Sequence, residues 1–209
     1  MGSQERRTRE RVQTREKILD AARRMFVEHG YEATTMRAIA NAIEYTPTAI
    51  YHHFKNKDAL LTELATLDFR ALAGAFQRIG RIEDPIDRLY RIGDAYTEFA
   101  LSHPMQYQLM FMTRKPGGVF AADATRGDPG QDAYAFLRDA CASAIAAGVF
   151  RQDVTDAEEL AQMLWSSVHG LVSLQIVKAG GPIPWRDLRS TSRRLCRTLL
   201  RGLLREPSE

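Results

Sequence analysis

Residues 34–57 read TTMRAIANAIEYTPTAIYHHFKNK. The pattern predicts two short helices joined by a tight turn. A hydroxyl at Thr34 or Thr35 can accept from the N–H groups left unpaired at a helix start. Met36, Ile39, Ala40 and Ile43 then recur at three- and four-residue spacing and share one face. The small residues Ala38, Ala40 and Ala42 allow another helix to cross closely. The periodicity breaks at Glu44-Tyr45. Thr46-Pro47 restarts it, with a hydroxyl at the N-cap and a proline at the first helical position, where its missing N–H costs nothing. In the second helix, Thr46 to Phe54, the inward residues are Ile50 and Phe54. Thr46, Thr48, Tyr51, His52 and Lys55 are left outside, in place of the Glu, Lys and Arg of a solvated surface helix. Small donors and apolar edges of this kind suit bases and phosphates, as expected of a helix that enters a DNA major groove. An ordinary helix hairpin with a solvated face has the same period, so the flanking residues must separate the two readings.

With those flanks the chain resembles the TetR family of bacterial transcriptional regulators. The resemblance is carried by TREKILDAARRMFVEHGYEATTMRAIA (Thr14–Ala40) and TPTAIYHHFKNKDALL (Thr46–Leu61), about the first third of the chain. Phe26, Gly30, Thr34, Thr35, Ile39, Ala40, Tyr51, Phe54, Lys57 and Leu60 stand where that family places such residues. There is one departure. The turn usually holds a glycine where this chain has Glu44, and a small aliphatic residue where it has Tyr45. Glycine there would relieve a left-handed backbone. A second resemblance lies in MLWSSVHGLVSL (Met163–Leu174), which is similar to the Trp-His-Gly motif of one subgroup of TetR effector domains through Trp165, His169 and Gly170. HPMQYQLMFM (His103–Met112) resembles the short helix that accompanies that motif.

The resemblance implies an all-α fold. An N-terminal three-helix helix-turn-helix domain, residues 1–60, would precede a larger helical ligand-binding and dimerisation domain, residues 61–209. It also implies base and phosphate contacts from Thr35, Arg37, Tyr45, Thr46, Pro47, Thr48, Tyr51, His52, Lys55 and Lys57, with Thr35 and Lys57 clamping the DNA backbone and His53 packing.

Composition agrees with a soluble globular chain: 209 residues, 44% hydrophobic and 26% charged. No uninterrupted apolar run approaches the length of a membrane span. The charged N-terminus argues against a secretory leader, and a cytoplasmic location is expected. Cys141 and Cys196 read as small core residues. The net charge is +3, and residues 1–60 carry eleven Lys and Arg against eight Asp and Glu, so the whole excess lies there. That distribution permits DNA binding without requiring it.

Along the chain the pattern is helical throughout. Residues 1–12 read as a mobile Arg-rich arm, free to reach DNA or simply solvated. A first helix is expected from Thr14 to His29 and ends at Gly30. A long helix from Lys57 to about Ile79, carrying Leu60, Leu61, Leu64, Leu67, Phe69, Leu72 and Phe76, links the two domains. Asp84-Pro85 and His103-Pro104 open two more helices. Residues 115–130 form a Gly- and Pro-rich loop, partly disordered. Helices follow over 131–147, 156–178 and 185–204, the last with leucines opposite arginines. The final two are candidates for the homodimer interface, which the resemblance implies is a four-helix bundle across a two-fold axis, or they simply close the monomer core.

Tyr96, Phe99, Met105, Tyr107, Met110, Phe111, Trp165 and His169 are the candidate effector contacts. Met and aromatic side chains suit an apolar small molecule, and the same spacing suits plain core packing. Two readings stand for Trp165 and His169. They cap and hydrogen-bond an effector, or Trp165 fills the core, His169 bonds a backbone group and Gly170 admits a close helix. No GxSxG, P-loop, HExxH or CxxC is present, so neither catalytic residues nor a metal or cofactor are expected. The sum is a DNA-binding, ligand-responsive regulator, expected to repress as a homodimer on a palindromic operator, with no membrane partner. The alternatives are a DNA-binding dimer without an effector, and a helical small-molecule-binding protein with a vestigial helix-turn-helix.

Overall fold

The structure, a computed structural model, describes residues 2–80, 82–115, 118 and 126–205. Among these residues there are nine α-helices and no strand, only one isolated bridge between Phe150 and Leu204. The helices are α1 (Ser3–Ala33), α2 (Met36–Ala42), α3 (Pro47–Tyr51), α4 (Lys57–Gln77), α5 (Pro85–Ser102), α6 (Pro104–Met112), α7 (Ala133–Ala146), α8 (Ala157–Val177) and α9 (Leu188–Leu203). The all-α expectation holds. Most of the loop expected over 115–130 lies outside the described residues.

The chain divides into two compact units, Met1–Asp68 with Met105–Ala124, and Phe69–Pro104 with Thr125–Glu209. The division falls inside α4 and assigns nearly all of α6 to the first unit.

In unit 1 the helix pair forms as its caps dictate. The Thr35 hydroxyl accepts from the N–H of Ala38 at 3.1 Å, and the Thr46 hydroxyl from that of Ala49 at 3.3 Å. Thr34 has a different task. It is fully buried, and its hydroxyl donates to the carbonyls of Gly30 at 2.7 Å and Met25 at 3.1 Å, which ties off the end of α1. Between α2 and α3 the N–H of Tyr45 donates to Ala40 and that of Glu44 to Asn41. Those two bonds form a Schellman closure, whose C′ residue must be left-handed. Glu44 takes that conformation at φ 58°, and among the described residues it alone does so without being glycine. Ile39, Ala40, Ile50 and Phe54 are buried, as are Ile18, Ala22 and Phe26 of α1 and Leu60 and Leu64 of α4, and α2 packs on both α1 and α3. Each large apolar side chain buried in this way contributes about 1.5–3 kcal/mol.

Helix α1 corrects one expectation. It begins at Ser3 rather than Thr14, so residues 3–12 are helical and not a mobile arm. No glycine or proline interrupts Ser3–His29, the Glu5 carboxylate accepts from the N–H of Gly2, and Arg6 pairs with Glu10 one turn on. Gly30 does break the helix, at φ 81°, before a last turn to Ala33.

Unit 2 is built around α5, which packs on α7, α8 and α9. Asp84, Asp132, Asp156 and Asp187 each cap a helix with a carboxylate, which fixes the starts of α5, α7, α8 and α9. The Asp187 cap starts α9 at Leu188, three residues later than the leucine pattern suggests. α5 and α9 approach closely at Gly93, where a Cβ would lie 2.9 Å from the sulfur of Cys196. Thr97 and Ser192 share a buried hydrogen bond of 2.8 Å in the same seam. Burial pushes the thiol of Cys196 up to about 11 and that of Cys141 up to about 12.

Two smaller expectations also change. Leu67 of α4 is exposed despite its place in the leucine pattern. By length and composition α8 is long and apolar enough to cross a membrane. Ser, Gly, Gln and His break up its apolar run, so the sequence shows no continuous stretch, yet the average over the helix is high. α8 packs on α5, α7 and α9 through Leu160, Ala161, Leu164, Val168 and Val172, and exposes Met163, Leu174 and Val177 on its outer side.

Candidate functional site

The surface of the helix pair gathers most of the candidate DNA contacts. Thr35 and Arg37 at the start of α2, and Thr46, Thr48, Tyr51, His52 and Lys55 on and just after α3, are all exposed. Tyr45 and Pro47 are half-buried at the turn. Tyr51 is 55% exposed, a large aromatic surface with no covering side chain. The hydroxyls of Thr35 and Thr46 accept capping bonds and so still have their own proton to donate. Beneath the face, Ile50 and Phe54 hold α3 rigidly, and the guanidinium of Arg15 stacks 4.9 Å above the Phe54 ring. His53 turns inward and is half-buried. Burial first, then the charges of Arg11 and Arg15, hold its imidazole below the usual range.

Lys57 differs from the other basic candidates. Its ammonium donates to the carbonyl of Tyr31 at 2.7 Å and sits 4.1 Å from the centre of that ring. The Tyr31 hydroxyl donates to Asp58 at 2.7 Å, and Lys115 pairs with the same carboxylate at 3.1 Å. Burial, then the bond to Asp58, pushes Tyr31 up to about 12. Lys57 is therefore engaged at the end of α1, with two of its three donors left for another partner.

Four of the eight effector candidates lie in each unit. Met105, Tyr107, Met110 and Phe111 of α6 belong to unit 1, and Tyr107 and Met110 are buried there, with the rings of Tyr107 and Phe111 5.0 Å apart. Tyr96, Phe99, Trp165 and His169 belong to unit 2. Three of these meet: Trp165 Nε1 donates to the Tyr96 hydroxyl at 3.3 Å, and that hydroxyl stands 2.9 Å from His169 Nδ1. His169 thus meets a side chain across the unit. Burial holds its imidazole below the usual range. A Cβ added at Gly170 would meet nothing within 4 Å among the described residues, so no close helix approach requires a glycine there. Phe99 is buried one turn further along α5 and stacks on His103 at 4.9 Å.

Two residues beside these groups escaped the sequence reading. Tyr134 of α7 packs 5.7 Å from Trp165 and donates to Glu158 at 2.5 Å. No sequence spacing links α7 to α8, so nothing pointed to that pair. Asp68 of α4 is fully buried, receives two bonds from Arg23, the shorter 2.8 Å, and one of 3.0 Å from Gln106. It did carry a signal: an acid one turn from both Leu64 and Leu72 on the buried face of an apolar helix.

Comparison with known proteins agrees with this architecture. Residues 18–64 match the bacterial regulatory proteins of the tetR family, and residues 89–201, over half of the chain, match the tetracyclin repressor-like C-terminal domain. The chain is 46% identical over 68 residues to the HTH-type transcriptional repressor Rv1474c of Mycobacterium tuberculosis, a match covering 32% of this chain and 36% of that one. It thus spans little more than a third of that relative. A longer match, 28% identical over 194 residues, covers 79% of this chain and 82% of the HTH-type transcriptional regulator Rv1816 of Mycobacterium tuberculosis. In structure it is similar to the TetR family transcriptional regulator PfmR from Thermus thermophilus, at TM-score 0.67 and 25% identity over 90% of this chain and 99% of that one. It shares its fold with the fatty acid degradation regulator FadR from Bacillus halodurans, at TM-score 0.71 and 18% identity over 89% and 94% of the two chains. With a capped helix pair in one unit, a second helical unit, and both parts matched in chain order, the chain belongs to the TetR family of bacterial regulatory proteins.

Proposed function

We propose that the chain is a cytoplasmic transcriptional regulator that binds a palindromic operator as a homodimer, represses from it, and is released by a small apolar or amphipathic effector. The observation that carries the reading is the exposed set Thr46, Thr48, Tyr51, His52 and Lys55 around a short helix with a buried base. A solvated helix gains nothing by exposing a tyrosine at this position, whereas a base-reading helix does. The exposed Met163, Leu174 and Val177 of α8 support a homodimer, since a second copy would cover them. The half-buried Tyr96–Trp165–His169 cluster supports an effector that combines an apolar body with a hydrogen-bonding group. Such an effector acts by shifting α4, which runs from the reading head into unit 2. A coupling of about 1–3 kcal/mol corresponds to roughly 5- to 150-fold in operator affinity.

The test is fluorescence anisotropy of the purified protein on DNA flanking its own gene, at two salt concentrations and with competitor DNA. Saturable binding that survives competitor, and that is lost in Tyr51→Ala with Lys55→Ala, supports the reading. Equal affinity of that double variant and the parent would refute it.

A further inference from the structure

We propose that the N-terminal turns of α1 form a second DNA contact, a fixed row of arginines, Arg7 and Arg11 leading from Arg15, that grips the phosphate backbone flanking the half-site read by α3. The inference rests on the DNA-binding reading above. It changes what residues 1–12 are: one rigid edge of the reading head, where the sequence suggested a loose arm.

Three observations meet here. First, α1 is helical from Ser3, so Arg7, Arg11 and Arg15 are spaced four residues apart along one side, about 6 Å of rise per step. Second, the base of the row is fixed beside the reading helix. Arg15 is half-buried, stacks on Phe54 just after α3, and pairs with Glu63 of α4. Continuing along α1 from Arg15 towards its start leads to Arg11, whose charge reaches His53 of the same turn. Third, Arg7 and Arg11 are exposed and have no carboxylate partner among the described residues, although Arg6 beside them is paired with Glu10. Like charges four apart on a helix repel, so this row opposes itself until a polyanion arrives. Duplex DNA is the polyanion that α3 would already hold nearby, and its phosphates accept the forked donors of arginine in pairs.

The experiment compares the full-length parent with Arg7→Gln/Arg11→Gln, Arg7→Lys/Arg11→Lys and Val12→Pro on the same operator DNA between about 50 and 200 mM salt. Each phosphate contact contributes about 0.9 to the salt slope, so the Gln pair should lower it by about 2 per head, and the fourfold salt step should then cost about tenfold less affinity per head than in the parent. The protected footprint should shorten on its outer side. The Lys pair should restore the slope, and Val12→Pro, which breaks the helix below the row, should behave like the Gln pair. Far-ultraviolet circular dichroism of each variant checks the fold. An unchanged slope and footprint in the Gln pair, with a parent that binds specifically, overturns the row alone. A parent that binds no DNA specifically overturns the reading and the row together. A Val12→Pro variant with the parental slope shows a flexible arm and refutes the fixed row. Loss of binding to phosphatidylserine vesicles in the Gln pair, with no change on DNA, assigns the row to a membrane surface and refutes it for DNA.

Discussion

The hydroxyl of Tyr96 stands 2.9 Å from Nδ1 of His169 and joins α5 to α8. That hydroxyl also accepts the indole N–H of Trp165, which leaves it one proton to donate and one lone pair, so either neutral tautomer of His169 satisfies the contact. Burial disfavours the charged imidazole.

The protonation of His169 gives a pH dependence. Burial lowers its folded value below 6.5, and His53 shifts in the same direction. Below pH 6.5 the unfolded chain takes up protons that the folded chain resists. Stability is therefore flat above about pH 6.5 and falls as pH drops below it. Urea midpoints at pH 7.5 and 5.5 should separate in the parent and separate less in His169→Gln. Equal separations would exclude a neutral His169. Tyr96→Phe, measured at pH 7.5, should lose about 1–2 kcal/mol by removing the hydroxyl's bonds to the indole N–H and the imidazole.

Glu44 provides a stabilising substitution. A side chain in the left-handed region costs about 1–2 kcal/mol that glycine does not incur. Glu44→Gly should raise stability by about 1 kcal/mol, the glycine's extra freedom in the unfolded chain offsetting part of the gain. Thermal melts would read this directly. A lower melting temperature would mean that the Glu44 carboxylate makes a contact worth more than the strain.

Asp68 should be among the costly positions of unit 1. Its removal leaves the Arg23 guanidinium, only 17% exposed, with only the exposed Asp20 as a carboxylate partner, and frees Gln106 of α6. Asp68→Ala should cost about 3 kcal/mol in denaturant titration. A loss under about 0.5 kcal/mol would place the pair with ordinary surface bridges.

Gly93 should tolerate no side chain while Cys196 faces it. Gly93→Ala puts a methyl group 2.9 Å from that sulfur and should cost about 1–3 kcal/mol. Cys196→Ala in the same chain should recover most of the loss, and the cycle measures the coupling. Purely additive losses would show that α5 and α9 do not meet at this point.

The sequence alone determined whatever depends on neighbours three or four residues away. Thr35 and Thr46-Pro47 cap because their hydroxyls reach N–H groups one turn on, Asp84-Pro85 starts α5 for the same reason, and Glu44 is left-handed because two backbone bonds close around it. The all-α fold and the exposed reading face follow from those local rules. Tertiary structure decided the remainder. Lys57 faces Tyr31, Asp68 ties Arg23 to Gln106, and Tyr96 meets His169. Each of these pairings spans at least 26 residues of chain, and the period of a helix says which face is apolar but not which distant helix will cover it.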